Sequence, residues 1–232
     1  MRQFALLLAL AVPAAALADI TFYTSQTDFE TAAMNAGYVL FEVEDYEECT
    51  LPPNSVMALN DPLAPGVPNG PFPSGLTGVS DMRVQSNLLA GPAPQPSPRG
   101  VDGLAAISVG FYGASSDGVL SNYFVDSHDL IFDDGAEKVA VGFNPLTLLG
   151  SYRVDVAVYG PGEVLLGTTS TSADEPGSYF LGIVATAGQT IHRINIYDAG
   201  GGAEGADNIQ TWIPEPASAI LLLGAFALLR RR

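Results

Sequence analysis

The sequence predicts an all-β protein, an antiparallel β-sandwich or jelly roll with one short helix near its N-terminus. Three observations predict it. The second half consists of short runs rich in Val, Ile and Tyr, and turns rich in Gly, Pro and Asp separate those runs. The run Arg153 to Tyr159 also alternates, with Val154, Val156 and Val158 on one face. One apolar face and one polar face on each strand are typical of packed antiparallel sheets.

The first elements follow from local patterns near the N-terminus. Ile20 to Tyr23 is expected as a strand, and Thr27 followed by Glu30 fits a capping box for a short helix that ends near Asn35. Val39 to Val43 then alternates as a second strand. Six more strands are expected at Leu104 to Phe111, Val139 to Phe143, Arg153 to Tyr159, Val164 to Thr169, Tyr179 to Val184 and Ile191 to Tyr197.

Residues 51–100 are expected to be irregular, because eleven prolines mixed with Gly and Asn interrupt regular elements. Short strands are expected there around Gly78 to Val84. Further on, the acidic stretch Asp126 to Gly135 is interpreted as a pair of turns, and Asp198 to Asn208 as a glycine-rich loop.

The N-terminus has the pattern of a secretory signal peptide over residues 1–18. Met1-Arg2 is basic, Phe4 to Val12 is apolar, and small residues precede a cleavage site between Ala18 and Asp19. The domain that follows is expected to span residues 19–211, and residues 212–232 form a separate C-terminal segment.

The C-terminal segment combines Pro214-Glu215-Pro216, an apolar run from Ala217 to Leu229, and Arg230-Arg231-Arg232. This order resembles the PEP-CTERM sorting signal of exported bacterial proteins. The resemblance implies processing by a membrane-embedded exosortase. It also implies an inner-membrane intermediate with a periplasmic ectodomain, and delivery to the cell surface or extracellular matrix. The apolar run is shorter than the roughly 17–25 residues of a comfortable membrane helix, so a single-pass tail that is never cut remains the alternative.

The domain itself resembles the jelly-roll ectodomains that carry this tail, which are related in shape to lectins and carbohydrate-binding modules. The phrases that carry the resemblance are Ser178 to Ile183, Ile191 to Ile196 and Ala206 to Ile209. This resemblance implies a binding function.

The charge of the chain excludes some partners. The net charge is −16, and residues 19–213 hold five basic against twenty-four acidic residues, a net charge of −19. Such a domain repels phosphate backbones, so nucleic acid is not expected as a partner. Cys49 is the single cysteine, so a disulfide within the chain is impossible.

Two acidic regions are candidate Ca²⁺ sites, because carboxylate and carbonyl oxygens are the ligands of this cation. The first follows the second strand, and the second is the glycine-rich loop. A charged edge strand and a plain turn are the respective alternatives. The candidate ligands are Glu42, Glu44, Asp198, Glu204, Asp207 and Asn208.

The function predicted from these features is non-catalytic binding of extracellular polysaccharide or matrix components. No nucleophile elbow, phosphate loop or dinucleotide fingerprint occurs in the sequence. A structural or adhesin-like surface protein and a polysaccharide-active hydrolase remain the alternatives. Aromatic rings can stack on sugars, and the candidates are Tyr112, Tyr123, Tyr159 and Tyr197.

Overall fold

A computed structural model describes residues 20–87, 95, 103–114, 116–121, 127–133, 137–148, 153–172, 179–186, 188–198 and 203–215. Over these residues the protein is a sandwich of two antiparallel sheets with one α-helix, which confirms the predicted fold class. The predicted signal peptide, its cleavage site and the C-terminal apolar run lie outside the described residues.

The regular elements number one helix and thirteen strands in the described part of the chain. The helix α1 spans Gln26–Asn35. The strands, in chain order from β1 to β13, are Ile20–Tyr23, Tyr38–Glu44, Val56–Leu59, Met82–Asn87, Leu104–Ile107, Gly118–Ser121, Ser127–Phe132, Ala140–Leu148, Arg153–Tyr159, Leu165–Ser172, Leu181–Ala185, Arg193–Tyr197 and Ala203–Pro214.

The first sheet has the order β1-β11-β8-β13-β6-β5-β3, and the second has the order β10-β9-β12-β7-β4. Along one of its two edges, the long strand β13 pairs with two different strands in turn. Its residues Gly205 and Ala206 pair with β6, whereas Ile209 to Pro214 pair with β2. A bulge separates the two halves, and Asn208 there has a φ of 49°. The end of β2 therefore lies beside the bulge of β13.

The main core lies between the two sheets. Alternate residues of the second sheet face inward, such as Val154, Val156 and Val158 on β9, and they pack with residues such as Phe143 and Ile183 of the first sheet. Burial of this apolar surface is the main source of stability, at about 25 cal/mol per Å².

The helix α1 covers the outer face of the first sheet. Ser25, rather than the predicted Thr27, caps it by accepting a hydrogen bond from the amide of Asp28 at 3.3 Å. Phe29 packs with Trp212 and lies over Gly182, where an added Cβ would approach the Phe29 ring to 2.4 Å. Glycine at this position allows the helix to sit close to the sheet.

Two local interpretations from the sequence are wrong. Ser127–Phe132, expected as part of two turns, forms β7 inside the second sheet, and Ala203 to Asn208, expected as loop, opens β13. The strands β3 and β6 were not expected either. In the last strand, regular pairing continues past residue 211 to Pro214, which lies opposite Tyr38.

Within the described residues, no helix is both long and apolar enough to cross a membrane.

Candidate functional site

The outer face of the second sheet is polar, and it points away from the core. Side chains alternate along a strand, so Arg193, Asn195 and Tyr197 of β12 lie on this face while Ile194 and Ile196 enter the core. The neighbouring strands add polar side chains that share the face by register. These are Asp129 and Ser127 of β7, Gln85 and Asn87 of β4, and Asp155 and Tyr159 of β9.

A hydrogen-bond network at the centre of this outer face is built around Asp129. One carboxylate oxygen accepts from Asn195 Nδ2 at 2.7 Å and from the Arg193 guanidinium at 3.0 Å. The other accepts from Asn87 Nδ2 at 2.8 Å. Burial raises the pKa of Asp129, and the Arg193 charge and the amide donors oppose that rise. The network joins three neighbouring strands and fixes their polar side chains.

The guanidinium of Arg193 extends the network towards the β9–β10 hairpin. It binds the carboxylate of Glu163, with Nη2 and Oε2 at 2.7 Å, and it stacks on the Tyr159 ring with Cζ at 4.0 Å from the centroid. Asp129, Arg193 and Asn195 are fully buried. A buried ion pair requires this many partners to offset its loss of hydration.

The outer face becomes accessible on its β9–β10 side. Thr168 and Ser170 of β10 are exposed, and Tyr197 is half-buried. Arg153 is exposed, and its guanidinium binds both oxygens of the buried Asp155, with the Nη2 to Oδ1 distance at 2.7 Å. The accessible area therefore combines a tyrosine ring, hydroxyl groups and a guanidinium that Asp155 orients.

The four tyrosines that are candidates for stacking on sugars lie in different parts of the chain. Tyr159 and Tyr197 both lie on the outer face of the second sheet. Tyr112 is 59% exposed on a short turn before β6, remote in sequence from that sheet. Tyr123 lies outside the described residues.

A compact acidic cluster begins at Glu44, the last residue of β2. Carboxylate oxygens of Glu44, Asp45 and Glu48 all lie within 4.8 Å of one another. Glu44 is fully buried and accepts from the amides of Tyr46 and Gly78, both at 3.0 Å. Burial, and the nearby charges of Glu48 and Asp45, raise the pKa of Glu44 to about 7.

Asp207 faces this cluster from the bulge of β13. It is fully buried, accepts from the Ser116 hydroxyl, and accepts from the Asn208 amide at 2.7 Å. Burial raises its pKa to about 6, and the charges of Asp45 and Glu47 contribute to the rise. Asp207 and Asn208, predicted as cation ligands, thus lie near Glu44.

The other predicted cation ligands lie elsewhere. Glu42 accepts a hydrogen bond from Ser80 Oγ at 2.5 Å, beside the segment that precedes β4. Asp198 lies at the end of β12, where its charge acts with that of Asp155 to raise the pKa of Arg153. Glu204 lies opposite Thr147 near the start of β13. Asp198 thus directly follows β12, whereas Glu204 and Asp207 belong to β13.

Part of the predicted sorting signal falls within the described fold. Pro214 ends β13, and the amide of Glu215 donates to the carbonyl of Gly37 at 2.9 Å. Pro216 and the three terminal arginines, Arg230, Arg231 and Arg232, lie outside the described residues, as do Ala18 and Asp19.

The network of Asp129 and Asn87 on the outer face was not predicted from the sequence. Arg193 and Asn195 did carry a visible signal, because polar residues alternate with isoleucine from 193 to 197. The partners of β12 depend on sheet order, which the local sequence does not specify.

No protein-family model and no curated protein matches the chain. One solved structure, a point mutant of CBM29-2 studied for ligand recognition by family 29 carbohydrate binding modules, is 12% identical. The alignment covers 75% of this chain and 85% of that one, with a TM-score of 0.33.

Proposed function

We propose that this chain is an exported, non-catalytic protein that binds neutral extracellular polysaccharide on the outer face of its second sheet. The observation that carries the proposal is the accessible β9–β10 side of that face. It presents Tyr197, Arg153 and Ser170 beside the Asp129–Arg193 network on the same sheet face. An aromatic ring offers an apolar surface to a sugar, and fixed polar groups beside it orient hydroxyl groups.

Electrostatics favour a neutral ligand over an acidic one. The net charge of the chain is −16, and the outer-face arginines are already paired with carboxylates of Asp129, Glu163 and Asp155. A uronic-acid polymer would therefore meet repulsion, and every arginine in the described part of this face, including Arg83 with Asp133, is already paired with a carboxylate.

The same ion pairs support a non-catalytic function. A glycosidase needs one carboxyl group that can donate a proton and a second that acts as nucleophile or base. Here Asp129, Asp155 and Glu163 each bind an arginine. These three carboxylates of the outer face are therefore engaged by arginines.

The proposed delivery of the domain to the cell surface or matrix rests on the sequence of the C-terminal segment. The PEP-CTERM-like tripeptide begins at the last residue of β13. An exosortase would thus act close to the end of the folded domain and release it to the cell surface or matrix. Mass spectrometry of the protein from its native cell tests this step, because a chain that retains Arg232 would contradict it.

The binding proposal is tested by polysaccharide pull-down with the purified protein. Retention is expected on neutral β-glucan or mannan gels and is expected to be weaker on alginate. Tyr197→Ala should reduce retention about tenfold or more, because loss of a stacking ring removes a large part of such contacts. Tyr112→Ala, which removes an exposed ring elsewhere, is the matched control. Absence of retention on every neutral polymer would favour the structural or adhesin-like alternative.

A further inference from the structure

Exposed apolar side chains lie along β2 on the outer face of the first sheet. Gln210 and Trp212 of β13 share that face because they are two residues apart, and Trp212 packs there against α1. Their partners on β2 are Val43 and Leu40, so these two side chains also lie on the outer face. Leu40 is 48% exposed, Val43 is 38% exposed, and Phe41 between them is 40% exposed. These three residues are called the β2 stripe.

The chain leaves the described fold at one end of the β2 stripe. Pro214 lies opposite Tyr38, the first residue of β2, and the amide of Glu215 donates to the carbonyl of Gly37 at 2.9 Å. The apolar run Ala217 to Leu229 begins two residues after Glu215. A run of this length is shorter than a comfortable membrane span and is more typical of a helix that packs against protein or at an interface. The run therefore starts within reach of β2.

The length of the apolar run matches the length of β2. As a helix, the run would measure about 20 Å at 1.5 Å per residue. The strand from Tyr38 to Glu44 also measures about 20 Å, at about 3.3 Å per residue. A helix that turns back at the exit and lies along β2 would thus end beside Glu44. On such a helix Leu222, Phe226 and Leu229 share one face, which gives an apolar surface to cover the β2 stripe.

The charges at the two far ends are complementary. The apolar run is followed by Arg230-Arg231-Arg232, and β2 is followed by the acidic stretch Glu44 to Glu48, in which Asp45 and Glu47 are exposed. No lysine or arginine of the described residues pairs with this stretch, because each of them binds a carboxylate elsewhere. These basic residues are Arg83, Lys138, Arg153 and Arg193. The three arginines after the apolar run therefore supply the opposite charge at the place where the helix would end.

We propose that the C-terminal apolar segment, residues 217–229, docks on the β2 stripe of its own chain and places its arginines against the acidic stretch after β2. An exposed apolar patch marks a binding surface, and here the occupant is tethered at one end of the patch. A surface of anionic lipid is disfavoured as the occupant, because the acidic stretch beside the stripe repels it. Docking would shield the apolar segment from water until a membrane or a processing enzyme displaces it. The inference is independent of polysaccharide binding, which uses the second sheet.

The test is disulfide formation in the purified full chain, in buffer without detergent and with Cys49→Ser as the background. Val43→Cys is combined with Leu229→Cys, and Leu40→Cys with the same change at Leu229 is the matched control. A disulfide needs Cβ atoms about 3.5–4.5 Å apart, whereas Leu40 lies about 10 Å from Val43 along the strand. Mild oxidation should therefore join positions 43 and 229 at least about tenfold faster than positions 40 and 229. A segment that moves freely on its tether would reach both positions at similar rates, and that result would overturn the proposal.

A charge variant and the mass of the product complete the test. Replacement of Arg230, Arg231 and Arg232 by glutamine should slow the joining of positions 43 and 229 about threefold or more, because the ion pairs with the acidic stretch are lost. An unchanged rate would overturn the proposal, since the arginines assign the direction of the segment. Mass spectrometry should show the disulfide within one chain. A disulfide found only between two chains, or none at all, would also contradict docking on the same chain. Because Leu40 and Val43 are exposed, the cysteine variants should unfold in urea at the midpoint of the parent.

Discussion

His128 is the group whose replacement should change the pH dependence of folding most clearly. It lies on the core side of β7 between Ser86 of β4 and Ile196 of β12, and it is fully buried. Both ring nitrogens lack a hydrogen-bond partner among the described residues. Burial lowers its pKa to about 3 from an ordinary 6.5, so the folded protein holds a neutral imidazole at all moderate pH values.

The sign and size of the change in folding stability with pH follow from the difference between the pKa of His128 in the unfolded chain and in the fold. Below pH 6.5 the unfolded chain takes up a proton at His128 and the folded protein does not, so stability falls as the pH decreases towards 3. Between pH 7.5 and pH 5.0 the loss is about 2 kcal/mol, from 1.5 pH units at about 1.36 kcal/mol each. The raised pKa values of Glu44 and Asp207 act in the opposite direction, because those groups bind protons more readily in the fold.

The variant His128→Leu separates these contributions. It leaves both carboxyl groups in place, so subtraction of the variant from the unaltered protein cancels their effect. Urea unfolding at pH 7.5 and 5.0 should show that the stability difference between variant and parent grows by about 2 kcal/mol at the lower pH. The variant should also be about 1–3 kcal/mol more stable at pH 7.5, because two unsatisfied polar atoms leave the core. A difference that stays constant with pH would refute the reasoning, since it would mean that His128 titrates normally inside the fold.

Two further predictions concern other parts of the molecule. Arg193→Gln should destabilise the protein by about 3–5 kcal/mol in urea unfolding, because Asp129 would lose its buried partner; a loss under about 1 kcal/mol would show that water reaches the network. Tyr112→Gly should raise stability by about 1 kcal/mol, since a tyrosine with a φ of 45° is strained and its ring is exposed; a lower midpoint would mean that the ring packs in solution.

The sequence contains enough information for the fold class and for the strands with clean alternation. Arg153–Tyr159 forms as expected because its valines meet a core and its polar residues do not. The short helix ends at Asn35 as the sequence predicts, since its apolar face is a local signal, although Ser25 and not the predicted Thr27 caps it.

The missed elements depend on long-range contacts. Ser127–Phe132 contains histidine and aspartate, which are uncommon in strands, and it becomes a strand because Arg193, Asn195 and Asn87 satisfy Asp129 from both sides. Strand β13 begins in a glycine-rich stretch, where pairing with β8 and β6 determines the conformation. The sequence likewise indicates acidic candidates for a cation, but it does not indicate that Glu48 joins Glu44 while Asp198 lies apart.

Hydrogen–deuterium exchange with a neutral oligosaccharide is the most direct test of binding on the outer face. Saturating ligand should protect peptides from β9, β10 and β12, at residues 153–159, 165–172 and 193–197. Peptides of the first sheet should exchange as before. Protection confined to the first sheet, or no protection by any neutral oligosaccharide, would contradict the proposed function.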